Sequence, residues 1–182
     1  IYLAGRGERT VKLAGELADG LLISNMCALG FSGRIVEAMR ASGRAAGRAS
    51  PGQAVQYMPA AVSADSAVAR ASAKRAIGEM LPRFWALGQK LDSAKEALLA
   101  GSEISETDFA AVSSRIRNGE DPALVLDDRY AVAFSLSGTI EQCLALARRY
   151  KAAGIDELAL TFSGADAAEQ IAALGAALRS AK

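Results

Sequence analysis

The sequence predicts an α/β fold in which parallel strands are joined by crossover helices. Three observations predict it. Short apolar runs such as Leu21-Leu22-Ile23 and Leu158-Ala159-Leu160-Thr161-Phe162 alternate with stretches of helical period. Glycines and polar pairs mark the change from one period to the other. The chain has 182 residues, 51% of them apolar, which suffices for one ordinary domain with a real core.

The elements follow in order. Ile1 to Ala4 reads as a strand. Val11, Ala14, Leu17 and Ala18 then fall on one side of a helix, with Lys12 and Glu16 on the other. Asp19-Gly20 ends that helix, the glycine suiting a left-handed terminal residue. Leu21–Ile23 is a second strand, closed by Ser24-Asn25. A helix is predicted from about Phe31 to Ala46, with Ile35, Val36 and Met39 on its apolar side, and Ser50-Pro51-Gly52 breaks the chain. A third strand runs from Ala54 to Val62. Pro59 within it lacks a ladder donor, so a bend or bulge is expected there. Asp65 and Ser66 are candidate caps for a helix reaching Met80. Residues 82–130 read as several helices with polar joints, a helical insertion too long for a plain connection. Thr139 and Gln142 have the spacing of a capping box for a helix from Ile140 to Ala153, which Gly154 stops. A fourth strand, a turn at Ser163-Gly164 and a last amphipathic helix, "DAAEQIAALGAALRSA", complete four strand–helix units.

Bulk composition excludes several functions. Lys and Arg total 21 against 20 acidic residues, a net charge of +1. That balance gives no long-range reason to expect a nucleic acid or an anionic membrane as partner. The arginines of "RASGRAAGR" read as a solvated helix end. No apolar run reaches the roughly 18 residues of a membrane span. The chain has no histidine, which removes Ser-His-Asp and Cys-His nucleophile systems and His-rich metal sites. Cys27 and Cys143 are far apart and form neither a disulfide framework nor a zinc motif, so a reducing cytoplasm is expected. Ile1 and Tyr2 already read as the inside of a strand, so the chain reads as the later part of a longer one.

The richest stretch is the first: "IYLAGRGERTVKLAGELADGLLIS". Gly5-Arg6-Gly7-Glu8-Arg9-Thr10 is almost a G-x-G-x-x-G turn, with Thr10 in place of the third glycine. A dinucleotide fold also needs an acidic residue at the end of the second strand, where Ser24 and Asn25 stand instead. Two readings remain. The glycines and the helix start after them form a phosphate cradle, aided by Arg6, Arg9 and Thr10. Otherwise the glycines merely turn the corner and the arginines point to water. Phe84 and Trp85 read as helix contacts before they read as a substrate wall. Asp127-Asp128-Arg129 reads as a surface turn before a charged lid, and Cys27 as a small buried thiol.

The same opening stretch, with its "LAGELADG" between two strands, resembles the middle of luciferase-like flavin or deazaflavin oxidoreductases. "SLSGTIEQCLALARRYKAAGIDELALTFSG" resembles the closing helix and final strand of that family. The branch it most resembles uses the deazaflavin F420 and is named methylenetetrahydromethanopterin reductase-like. The Ala-, Gly- and Arg-rich composition fits a GC-rich actinobacterial source. The resemblance implies the C-terminal half of a TIM-type (β/α)8 barrel, these four strands being its fifth to eighth. The first half would carry the usual histidine and acidic residues near the reacting ring. The resemblance further implies an F420- or FMN-dependent oxidoreductase, inactive as this half alone. Gly5, Arg6, Gly7, Glu8 and Thr10 would belong to the loop holding the cofactor phosphate, and Ser24 and Asn25 would face the same barrel mouth. The partners it implies are a small-molecule substrate and either the missing N-terminal half or a second copy. A half-barrel that only self-associates and a Rossmann-type module are the alternatives.

Overall fold

The computed structural model describes residues 1–50, 52–163 and 165–180. Pro51, Gly164 and Ala181, assigned above to two turns and the last helix, lie outside the described residues. The sheet is parallel and contains β1 (Tyr2–Ala4), β2 (Gly20–Ile23), β3 (Gln53–Val62), β4 (Leu136–Gly138) and β5 (Glu157–Phe162). Between them run α1 (Glu8–Leu17), α2 (Leu29–Ala45), α3 (Ser66–Gly88), α4 (Asp92–Leu99), α5 (Glu106–Arg117), α6 (Pro122–Val125), α7 (Asp128–Phe134) and α8 (Ile140–Ala152), and α9 (Ala167–Ser180) follows β5.

Register fixes the layout. Val55 pairs with both Leu22 and Glu157, and Ala60 with both Leu136 and Phe162. Each residue has only two edges, so β5 lies on one side of β3 while β2 and then β4 share the other. The three-residue β4 was not expected from the sequence, which gives only Leu136-Ser137-Gly138 before the Thr139 cap.

Pro59 makes no bulge, one of the two outcomes expected from its missing donor. It stays in register opposite Thr161. Ala54 directs its N–H and C=O to the β5 side, bonding Asp156, so odd-numbered residues of β3 turn theirs to β2 and β4. Pro59 therefore faces the gap between the last β2 pair, at Gln56, and the first β4 pair, at Ala60. No ladder donor is needed there. Gly20 also departs from expectation. It begins β2 rather than ending α1 in a left-handed turn. A Cβ on it would lie 2.5 Å from the Tyr2 ring and 2.6 Å from the Gln53 carbonyl, so neighbouring strands require the glycine.

One sheet face is packed against helices. Leu21, Ile23, Ala54, Met58, Ala60 and Val62 pack with Val11, Ala14, Phe31, Val36, Met39, Tyr150 and Leu174 from α1, α2, α8 and α9. Gly15 and Gly43 bring α1 and α2 into close contact, and a Cβ on Gly15 would fall 2.1 Å from the Met39 carbonyl oxygen. Arg48 Nη1 donates to the carbonyls of Ala18 at 2.6 Å and Gly15 at 2.8 Å, closing the end of α1. Arg40 donates to Gly154 and pairs with Asp156. These arginines tie elements together, so "RASGRAAGR" is more than a solvated helix end. The Thr139–Gln142 capping box forms, and Gly154, at φ +90°, ends α8.

The other face is covered only towards the carboxyl ends of the strands, where Ala61 meets Ala69 and Ala73 of α3. Tyr2, Ala4, Glu157 and Thr161 lie exposed on that face, with Leu22, Tyr57 and Ala159 half-buried. Helix α3 runs on past Met80 to Gly88, about 35 Å. It crosses the carboxyl end of the sheet from Ala61 on β3 to Arg6 beyond β1. A second core gathers against it: Ile77, Leu81, Trp85, Leu98, Phe109, Tyr130 and Phe134, with Met26 and Ala28 from the loop after β2.

Candidate functional site

The loop after β1 is pinned before it turns. The Gly5 N–H donates to the Leu22 carbonyl at 3.1 Å. A Cβ on Gly5 would meet the Thr10 methyl at 2.8 Å, so Thr10 folds back over the loop and the glycine admits it. Gly7 is the N-cap of α1, at φ −77° and ψ 147°, a conformation open to any residue. Apart from its own residue and its chain neighbours, no described heavy atom lies within 4 Å of the position its Cβ would occupy. No side chain caps the helix. Its first closing bond is from Val11 N–H to the Gly7 carbonyl, at 3.0 Å. The amides of Glu8, Arg9 and Thr10 are left for an outside acceptor, at the positive end of the helix dipole.

The end of β2 is built alongside. Gln56, in the middle of β3 and 1% exposed, holds it: its amide donates to the carbonyls of Ser24 at 3.1 Å and Tyr57 at 3.0 Å, while Ser32 Oγ donates to its oxygen at 2.7 Å. Asn25 Oδ1 is buried without a hydrogen-bond partner, an acceptor that suits a hydroxyl or N–H of a bound molecule. Met26 adopts φ +57°, rare for a side chain of this size, and is held there by burial in the second core. The Ala28 N–H to Ala97 carbonyl bond, 2.8 Å, ties the same loop to α4.

The two loops meet through Arg6 and Cys27. Burial pushes the Cys27 thiol up, while the nearby Arg6 guanidinium and the Ser24 hydroxyl pull it back down. Arg6 also stacks on Phe84 of α3, 4.7 Å from guanidinium carbon to ring centre. The structure thus gathers Gly5, Arg6, Gly7, Thr10, Ser24 and Asn25 at the carboxyl ends of two neighbouring strands. The exposed Glu8 side chain lines the α1–α2 groove with Arg6, Lys12, Arg34 and Glu96. Trp85 turns away and stacks on Phe109, whereas its neighbour Phe84 reaches the site. Asp127 caps α7 and Asp128 pairs with Arg70 and Lys74, so that acidic pair joins helices.

Gln56 carried one available signal in the sequence, a lone glutamine inside "AVQYMPAAV". Among the described residues no group of three or more His, Cys, Asp or Glu side chains is placed to hold a metal ion. No helix among them is long and apolar enough to cross a membrane.

Both cysteines are buried and unbonded, and burial pushes the Cys143 thiol up to about 11. Native protein at pH 8 is expected to resist alkylation by iodoacetamide, and both thiols to react once urea unfolds the chain. Stability is expected to fall as pH rises from near 9 through 11, because the unfolded thiols ionise first. Rapid native labelling at pH 8, read by mass spectrometry, would contradict this.

The chain spans about half the length of the solved structures it resembles. Coenzyme F420 dependent tetrahydromethanopterin reductase from Methanopyrus kandleri aligns with a TM-score of 0.74 at 18% identity, over 96% of this chain and 48% of that one. An F420-dependent secondary alcohol dehydrogenase in complex with an F420-acetone adduct aligns at 0.59 and 18% identity, over 95% and 48%. The monooxygenase RslO1 from Streptomyces bottropensis aligns at 0.53 and 16% identity, over 98% and 48%. At these identities the likeness establishes the fold. No curated protein matches the chain. The family model for luciferase-like monooxygenases matches residues 1–157, the stretch that holds both loops of the site and all of α1 to α8. The chain belongs to the luciferase-like monooxygenase family.

Proposed function

We propose that the chain is the C-terminal half of an oxidoreductase using F420, with FMN as the alternative, and that this half grips the cofactor phosphate and walls part of the substrate pocket. One observation carries the reading: α1 begins without a capping side chain, and the space beside Gly7 is open, at the carboxyl end of a parallel strand. The residues present fit the group. The amides of Glu8, Arg9 and Thr10 would donate to the phosphate, with the Thr10 hydroxyl beside them. Asn25 Oδ1 would accept from a hydroxyl further along the cofactor. The likeness to two proteins named as F420-dependent favours F420. When bound, the cofactor supplies the hydride chemistry, and this chain's residues bind and orient it. In this reading residues 82–130 form an insertion that closes one side of the mouth, and the enzyme works in a reducing cytoplasm.

Titration of the chain with F420, FMN and NAD, followed by calorimetry, tests the reading. F420 or FMN is expected to bind, with inorganic phosphate competing, and NAD to fail. Binding of NAD alone would return the dinucleotide module. Turnover of a substrate by these 182 residues would contradict the division of labour between halves.

The open sheet face favours a second reading, a half-barrel that pairs with another copy. Tyr2, 45% exposed, and the half-buried Leu22 and Tyr57 leave apolar surface uncovered, and the outer edges of β1 and β5 are unpaired among the described residues. Sedimentation showing a monomer at micromolar concentration would exclude it.

A further inference from the structure

We propose that Arg6, Arg83 and Lys90 form a subsite for a ligand segment bearing two or more negative charges, seated against the apolar wall of Phe84 and Leu87. The three cations line one cavity of about 510 Å³, with Phe84, Ala86 and Leu87, and no carboxylate is among its described lining residues. None of the three has an ion-pair partner among the described residues. Elsewhere near α3 the cations are matched: Arg70 and Lys74 by Asp128, Arg75 by Asp121, Lys95 by Glu106. A convergence of uncompensated like charges raises the local potential for anions.

Arg6 is the anchor. Its guanidinium lies over the Phe84 ring, and its Nη1 is buried with no hydrogen-bond partner. A buried charged donor left in this state is unfavourable unless something accepts from it. A fork-shaped contact to carboxylate or phosphate is the kind a guanidinium makes best. Arg83 in α3 and Lys90 just past its end bring two more positive charges to the cavity that Arg6 lines, so the ligand that matches them carries two or more negative charges. The aromatic and apolar lining asks for a carbon skeleton between them.

The subsite shares Arg6 with the loop of the proposed cofactor cradle, but its chemistry does not depend on which cofactor binds there. The polyanion has two possible sources, a distal part of the cofactor or the substrate itself.

Calorimetric titration with tricarballylate and with pyrophosphate at low ionic strength tests the proposal. Arg83→Gln with Lys90→Gln is expected to weaken binding of at least one probe tenfold or more. The pair Arg44→Gln with Arg148→Gln, which removes the same charge from exposed positions elsewhere, is expected to leave it within twofold. Arg6→Lys, keeping the charge and losing the fork, is expected to weaken it about tenfold. Displacement of the probe by F420 or FMN would identify the cofactor as the source, and simultaneous binding the substrate. Equal loss in both double variants, or no binding of either probe at millimolar concentration, would overturn the subsite. Probe binding without any F420 or FMN binding would overturn the cofactor reading and leave the subsite standing.

Discussion

Gly15→Ala is expected to lower stability by about 3 kcal/mol, at the upper end of overpacking effects, and to lower the melting temperature by roughly 6–12 °C. The added Cβ would sit 2.1 Å from the Met39 carbonyl oxygen and 2.9 Å from the Ser42 Cβ. The first of these is backbone inside α2, so relief requires the two helices to separate. Gly43, whose own Cβ would stand 2.9 Å from the Gly15 carbonyl, shows that the approach is mutual. Separation would also draw α1 away from Arg48, which holds its last carbonyls. Thermal unfolding followed by circular dichroism checks this. A Gly15→Ala protein melting within 2 °C of the parent would show that α1 and α2 are not in the contact described.

Gly7→Asp is expected to separate binding from folding. Aspartate is among the best N-cap residues, and a negative charge there complements the helix dipole, so stability should rise by a few tenths of a kcal/mol. Gly7 already has extended dihedrals, and its Cβ would enter open space, so the backbone need not change. The new carboxylate would bond the amides proposed to hold the cofactor phosphate, and would repel it. F420 or FMN affinity is expected to fall about 100-fold, roughly 2.7 kcal/mol. Unchanged affinity with unchanged melting would remove the phosphate from this loop.

The sequence disclosed the fold through its periods. Apolar strands and amphipathic helices alternate plainly from Ile1 to Val62, and the Thr139 capping box and Gly154 could be read as they stand. What stayed hidden depended on neighbours distant in the chain. Gly20 looks like a helix terminator until the Tyr2 ring is placed beside it. Pro59 looks disruptive until β2 is seen to stop three residues earlier. Phe84 and Trp85 share one reading in sequence, yet a turn of about 100° sends one to Arg6 and the other into a core. The candidate site was legible as a loop, through its glycines. Its support was not: Gln56 matters because it joins β3 to the end of β2 and to α2, and no local pattern encodes that convergence.

Trp85 has a practical consequence. It is the chain's single tryptophan, it stacks on Phe109 at 5.6 Å between ring centres, and it belongs to the core under α3 rather than to the one beneath the sheet. Its emission therefore reports on one of two structurally distinct bodies of packing, while far-ultraviolet ellipticity reports on both. The molecule carries its own optical label for asking whether the helical cap and the sheet unfold together or in turn.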